Sequence, residues 1–187
     1  VLPRLVSRLE AIRSLNIWSA GCSTGEETYT LAMLLAEESS VHGWRLRVFG
    51  TDISRKVLMT ARRGVYGAKS FRVMEDKERR RYFERSHAGW RVNEEVRSMT
   101  AFGHFNLLNR EKITLLGTCD AIFCRNVLIY LSAEARAHIV ETFYRRLRPG
   151  GYLFLGHSES LLNVTTKFEI VSLENDLVYK KPEDADD

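Results

Sequence analysis

The sequence predicts an α/β domain, a mostly parallel sheet with helices on both faces. Three observations point there. Apolar, buried-type strand segments alternate along the chain with amphipathic helical segments. The first of these strands, "NIWSA", runs into a glycine turn that opens directly onto a helix. One stretch, 69–101, breaks the alternation and has the pattern of a small β insertion within the α/β order.

In order along the chain, residues 16–20 form a short apolar strand ending at Gly21. Residues 25–38 place Tyr29, Leu31, Ala32, Leu34 and Leu35 on one helix face. "RLRVFGTD", 45–52, alternates as a second strand. Ser54 caps a helix over 55–63 that stops at Gly64. The insertion has a basic, helix-like part followed by "WRV" and "VRSMTAF", two short strands around Asn93-Glu94-Glu95. "CDAIFCRN", 119–126, is a buried strand. The helix after it opens at Ser132, carries Glu134 in its first turn, and is stopped by Pro149-Gly150-Gly151. "YLFLGH", 152–157, is again a buried strand. "FEIVSLENDLVYKK" reads as two strands joined at Glu174-Asn175-Asp176, a hairpin at a sheet edge. The acidic tail "PEDADD" has no core pattern and is expected to fray.

The 187 residues suffice for one domain with a sizeable core. No apolar run approaches the roughly 20 residues of a membrane span. The longest candidate, "DAIFCRNVLIYL", is cut by Arg125 and Asn126, and the N-terminus lacks a signal pattern. Cys22, Cys119 and Cys124 are odd in number and widely spaced, which speaks against a disulfide framework or a zinc site and for reduced thiols in the cytoplasm. The net charge of +4 is uneven: residues 69–91 hold eight Lys/Arg against four Asp/Glu. Such a cluster, which includes Arg79, Arg80 and Arg81, suits an acidic partner or is simply a solvated helix face.

Ligands of open α/β sheets bind beyond the carboxyl ends of the strands. Four groups are expected there: the 21–27 loop, Thr51-Asp52, Asn106-Leu107, and Arg125-Asn126 through Tyr130. "GCSTGEET" is not a P-loop, because Glu26 stands where the phosphate-binding lysine belongs. The G-x-G-x-x-G fingerprint of dinucleotide folds is absent, and Glu26 and Glu27 would repel a pyrophosphate. Yet Asp52, ending the second strand, is placed to accept from ribose hydroxyls. A nucleoside without phosphates that carries positive charge meets these demands. S-adenosylmethionine has a ribose for Asp52, an ammonium and a sulfonium for carboxylates, and a carboxylate for backbone N–H groups. Plainer roles stand beside these. Glu26 and Glu27 suit the positive end of the helix dipole, Asp52 can cap the next helix, Asn106 can bond its own loop, Tyr130 can belong to the core, and His157 can be structural.

Taken together, "WSAGCSTGEE", "TDIS", "NLL", "DAIFCRNVLIY" and "GHSES" resemble the bacterial chemotaxis-receptor glutamate O-methyltransferases. The resemblance covers residues 18–179, with the motifs in the family's order. It implies a Rossmann-like class I methyltransferase fold, with a seven-stranded sheet and a small antiparallel β subdomain inserted at about 69–101. It implies transfer of a methyl group from S-adenosylmethionine to receptor glutamates, giving γ-methyl esters and S-adenosylhomocysteine. Carried over by motif, Glu27 and Asp52 bind the cofactor, and Gly21, Asn106, Leu107, Arg125 and Asn126 line its site. Tyr130 sits near the methyl group as the catalytic residue. No metal is implied.

The chain departs from the family pattern in three ways. Thr28 stands where the family commonly has Pro. The family's N-terminal helical domain, and the Thr-x-x-Phe-Arg stretch after it, are not in these residues. The loop "ERSHAG" is shorter than in members that dock on a receptor's C-terminal peptide. The expected partner is therefore the cytoplasmic helical region of a methyl-accepting receptor, met by Arg79, Arg80 and Arg81 without a peptide tether. Nucleic acid and direct membrane insertion are not expected. Two alternatives remain open in the sequence: a non-catalytic S-adenosylmethionine-binding module, and a methyltransferase for RNA or a small molecule.

Overall fold

The computed structural model describes residues 1–109, 113–174 and 176–184. Its main sheet has seven strands in the order β6-β2-β1-β7-β8-β10-β9. They are β1 (Ser14–Ala20), β2 (Arg45–Asp52), β6 (Thr100–His104), β7 (Cys119–Cys124), β8 (Leu147–Leu155), β9 (Glu169–Ser172) and β10 (Leu177–Lys180). The first five run parallel, while β10 is antiparallel to both β8 and β9. Strand order reverses at β1, which lies between β2 and β7.

Successive residues of the central strands face opposite layers, as a period of two demands. Ile17, Ala121 and Tyr152 enter one apolar layer with Leu31, Met33 and Leu35 of α2 (Glu26–Glu37). Their neighbours Trp18, Ile122 and Leu153 enter the other with Ile139, Val140 and Phe143 of the long C-terminal helix, Ala133–Arg146. Both faces are thus covered, which is why these strands read as apolar runs. Trp18 meets Phe143 edge-to-face at 5.3 Å and donates its indole N–H to Thr51 Oγ1 at 2.9 Å.

The caps follow local chemistry. The Ser54 hydroxyl accepts from Val57 N at the start of α3 (Arg55–Arg63), and Gly64 ends it at φ +62°. The Ser132 hydroxyl caps the C-terminal helix through Ala135 N. One helix was not foreseen, and three expectations need correction. Residues Leu2–Leu9 form a helix, α1, that the sequence reading did not place; Leu5 and Leu9 bury its apolar side. Pro149-Gly150-Gly151 does not end the preceding helix, which stops at Arg146; it forms an irregularity inside β8, where Gly150 and Gly151 pair with Lys181. The segment "VRSMTAF" is not one strand of the insertion. Its first part lies in a short helix, α5 (Glu94–Ser98), capped by the Asn93 side chain, and its last part is β6 of the main sheet. The small sheet is instead β3-β5-β4, from β3 (Val65–Tyr66), β4 (Phe83–Ser86) and β5 (Gly89–Val92), with α4 (Asp76–Tyr82) beside it. The terminal hairpin is formed as expected, although Asn175 of its turn lies outside the described residues.

At the amino end of β7, the fully buried Asp120 accepts from Arg8 at 3.1 Å, Arg148 at 3.0 Å and Asn16 N at 2.9 Å. It ties α1 to the bottom of the sheet, away from the strands' carboxyl ends.

Candidate functional site

The carboxyl ends of β1, β2, β6 and β7 surround a cleft of about 400 Å³ at the strand-order reversal. Gly21, Asp52, Asn106, Leu107, Asn126 and Tyr130 all line it. A larger cleft of about 650 Å³ lies toward the other ends of the strands, among Arg45, Arg47 and Arg148. Its lining has no carboxylate and no glycine turn after a strand, so the smaller cleft is the better candidate.

The glycine loop leaves β1 with the N–H groups of Gly21 and Cys22 donating to Thr51 O at 2.8 and 2.9 Å. Gly21 has φ +81°, and a Cβ there would run into Val127. Only glycine lets the two strand-end loops approach so closely. Gly25, at φ +93°, precedes α2 without a side-chain cap, so the helix presents free N–H groups. Asp52 Oδ2 accepts from Ser23 N at 3.0 Å and Oδ1 from Ser54 N at 2.8 Å. The carboxylate braces both loops and keeps acceptor capacity on each oxygen.

Glu26 and Glu27 diverge. Glu26 accepts from the hydroxyls of Thr24 at 2.5 Å and Ser70 at 3.3 Å, on the side of the inserted subdomain. Glu27 is half-buried and accepts from Ser19 Oγ at 2.7 Å. Burial pushes its carboxyl above the ordinary range, while the Ser19 hydrogen bond and the Arg125 charge pull it back. Glu27 and Arg125 are not among the residues lining the cleft.

The cleft's far wall is apolar, with Phe105, Leu107, Val127 and Ile139. Phe105 stands edge-on to Phe49 at 6.0 Å. Asn106 does bond its own loop, accepting from Leu108 N at 3.0 Å. After β7, Asn126 takes φ +58° and the chain makes a single 3-10 turn, Leu128–Tyr130. Tyr130 is not core: it is 80% exposed at the cleft.

The residues that sequence reasoning missed are Ser23, whose amide grips Asp52, Val127, which seals Gly21, and Glu159. The Glu159 carboxylate accepts from five backbone N–H groups, those of Asn126, Val127, Leu128, Ile129 and Gly156, at 2.7 to 3.3 Å. "GHSES" was a motif in the sequence, but backbone partners leave no signal there. Arg79, Arg80 and Arg81 stand apart from the cleft lining, on α4 of the insertion. Among the described residues, no group of three or more His, Cys, Asp and Glu could hold a metal ion. None of their helices is long and apolar enough to cross a membrane.

A strand-end carboxylate, a glycine cradle that a Cβ would fill, an apolar wall and an uncapped helix N-terminus suit an S-adenosyl nucleoside. The fold is that of the S-adenosylmethionine-dependent methyltransferase class. The model of the "CheR methyltransferase, SAM binding domain" family matches residues 1–177, and the chain belongs to that family. It is 35% identical over 170 residues to "Chemotaxis protein methyltransferase 2" of Vibrio cholerae, covering 90% of this chain and 59% of that protein. It is 37% identical to "Chemotaxis protein methyltransferase 1" of Pseudomonas aeruginosa, covering 96% of this chain and 67% of that protein. The chain therefore spans about three-fifths to two-thirds of the length of these relatives. Among solved structures, the N-methyltransferase NodS from Bradyrhizobium japonicum superposes with a TM-score of 0.55 at 15% identity, covering 97% of this chain and 84% of that one. TehB from Haemophilus influenzae gives 0.53 at 13% identity, covering 97% and 62%. Both likenesses concern the fold.

Proposed function

We propose that this domain, within its full-length protein, transfers a methyl group from S-adenosylmethionine to glutamate side chains of chemotaxis-type receptors, in the cytoplasm. The observation that carries the reading is the convergence of Gly21, Asp52, Asn106, Asn126 and Tyr130 on one cleft at the sheet's switch point, in a chain of this family.

S-adenosylmethionine, when bound, supplies a methyl carbon already activated by sulfonium. Asp52 would accept from the ribose hydroxyls. Asn106 and Leu107, in the cleft lining, would help to hold the cofactor against the apolar wall. Asn126, in the cleft lining, would help to enclose it, and Glu27, outside the lining and within reach of the Arg125 charge, would act on its amino-acid end. The acceptor glutamate has an ordinary pKa near 4.3 and is ionised at neutral pH, so no general base is required. Catalysis then rests on holding acceptor and donor in line. Tyr130, exposed at the cleft with its hydroxyl free to reach an acceptor, is the residue we assign to that task.

The inserted subdomain is the proposed receptor contact. Its β4–β5 connection is a two-residue turn, His87-Ala88, closed by Ser86 Oγ donating to Gly89 O at 3.0 Å. So tight a turn supports docking without a C-terminal receptor peptide. The family's N-terminal helical domain, as part of the working protein, belongs to the same proposal.

The test is incubation of the full-length protein with receptor and methyl-labelled S-adenosylmethionine. Label released as methanol by mild base identifies carboxyl esters. Base-stable label, or labelled RNA in its place, would replace this reading with a different acceptor.

A further inference from the structure

We infer that Glu159 is a positioning residue for methyl transfer, holding the 126–130 loop in its working conformation; this rests on the function proposed above. The loop has few means of holding its own shape. It begins at Asn126 with a positive φ, runs through one 3-10 turn, and ends at an exposed tyrosine. The turn has no side-chain capping bond from its N-cap residue, Val127. Its four successive amides, Asn126 to Ile129, all point instead at one carboxylate. Oε2 of Glu159 accepts from Asn126 N at 2.8 Å, and Oε1 from Val127 N at 2.9 Å, Leu128 N at 2.7 Å and Ile129 N at 3.3 Å.

The other end of Glu159 is just as constrained. Its own N–H donates to Gly156 O at 2.9 Å, and Gly156 N returns a bond to Oε2 at 2.8 Å. A Cβ at Gly156 would stand 2.9 Å from Oε2 and 3.0 Å from Asn126 N, so a side chain there would wedge the two loops apart. The loops after β7 and β8 are thereby clamped through one charged group.

The clamp reaches the cofactor cradle in one step. Val127, held by Oε1, is the residue that fills the space beside Gly21. Asn126 and Tyr130, on either side of the clamped amides, line the cleft. A charged acceptor suits this cluster of parallel N–H dipoles better than a neutral one. The carboxylate's five donors are all main-chain amides, so the hold acts on the backbone of the loop itself.

Two variants of the full-length protein test this. Glu159→Gln keeps the size but turns an N–H2 group toward amide donors; Glu159→Asp keeps the charge one methylene short. At a temperature where each variant is folded by circular dichroism, Gln should lower kcat at least tenfold, with receptor KM changed less than about threefold. Amide hydrogen exchange at Asn126 to Ile129 should quicken at least tenfold, while Ile122 in β7 holds its protection. Asp should fall between Gln and wild type, and it serves alone if Gln does not fold. Unchanged kcat, or loss of activity that only tracks the unfolded fraction with no selective exchange at 126–129, would overturn the inference. If wild type methylates no receptor, the proposed function fails separately, and the exchange measurement alone decides whether Glu159 holds the loop.

Discussion

The phenol of Tyr66, in the first strand of the inserted sheet, donates to the carbonyl of Thr24 in the glycine loop at 2.7 Å. The same hydroxyl lies 3.1 Å from where a Cβ on Gly25 would stand. The subdomain proposed to meet the receptor is thus bonded to the loop proposed to hold the cofactor. Tyr66→Phe should weaken S-adenosylhomocysteine binding by about 0.5–1.5 kcal/mol, the net worth of one hydrogen bond. Calorimetry on the full-length protein measures it. Unaltered affinity would make the bond a packing detail that transmits nothing to the loop.

Asp52 has two tasks, and they can be separated. Its oxygens already accept from Ser23 N and Ser54 N, so Asp52→Ala should lower the melting temperature as well as affinity. The expected loss in S-adenosylhomocysteine binding is about 1.5–3 kcal/mol, the range for a bond to a charged group. Asp52→Asn keeps one acceptor and should recover part of the melting temperature before it recovers affinity. A variant with lowered melting temperature but unchanged affinity would show Asp52 to be a loop brace only.

Tyr130 has no packing role to lose at 80% exposure. Tyr130→Phe should leave stability within about 0.5 kcal/mol, as for other surface changes. It should lower kcat and kcat/KM together, the signature of an interaction made at the transition state. Lost cofactor affinity with normal turnover would reassign Tyr130 to binding.

The three thiols give a prediction for pH. Burial pushes Cys22 and Cys119 up to about 12, and Cys124 well above its ordinary value. In the unfolded chain they ionise near pH 8.5. Above that pH the unfolded state binds fewer protons than the native state, so stability falls as pH rises. Their contribution is complete below about pH 8 and is lost progressively toward pH 12. Denaturant midpoints should therefore drop between pH 8 and 10, and less so when Cys119 and Cys124 are replaced by Ala and Val. At pH 8 the native thiols should resist alkylation until the protein is unfolded.

Much of the fold was legible because its signals are local. Ser54, Gly64 and Ser132 act at the helix ends where they stand in the sequence, and Asp52 could be found as the polar end of an apolar strand. Most of the failures turn on partners far away in the chain, the rest on local signals that fit two structures equally well. Asn93-Glu94-Glu95 suits a turn or a helix start equally well; α5 formed because Asn93 caps it, and β6 joined β2, some fifty residues earlier. Pro149-Gly150-Gly151 reads as a stop, yet Lys181 supplies the backbone that keeps it in a sheet. Leu2, Leu5 and Leu9 already carried a helical spacing; Arg8 gained its meaning only from Asp120. Glu159 was invisible for the strongest reason, since all five of its partners are main-chain amides.

The basic run on α4 divides into three unlike arginines. The Arg79 guanidinium lies over Trp90 at 4.6 Å and Phe71 at 5.8 Å, and pairs with Asp76 at 2.6 Å. It packs the subdomain, and Arg79→Ala should destabilise that sheet by about 1–2 kcal/mol, through lost cation–π and packing contacts. Arg81 pairs with Glu37 of α2 at 3.2 Å and lies over Tyr82 at 5.2 Å. Arg80 is exposed with its charge outward among these contacts, and is the best placed of the three to meet an acidic receptor helix. Arg80→Ala should raise receptor KM through a slower association, by about two- to fivefold at low salt, and leave S-adenosylhomocysteine binding unchanged. The difference from wild type should shrink as salt rises, because exposed charges are screened over about 8–10 Å at physiological ionic strength. Methylation of receptors with and without their C-terminal tails, by wild type and by Arg80→Ala, separates the two claims. Equal KM values for the two proteins at low salt would return α4 to an ordinary solvated surface. A strong tail dependence in wild type would overturn the case for untethered docking, even with Arg80 in its proposed role.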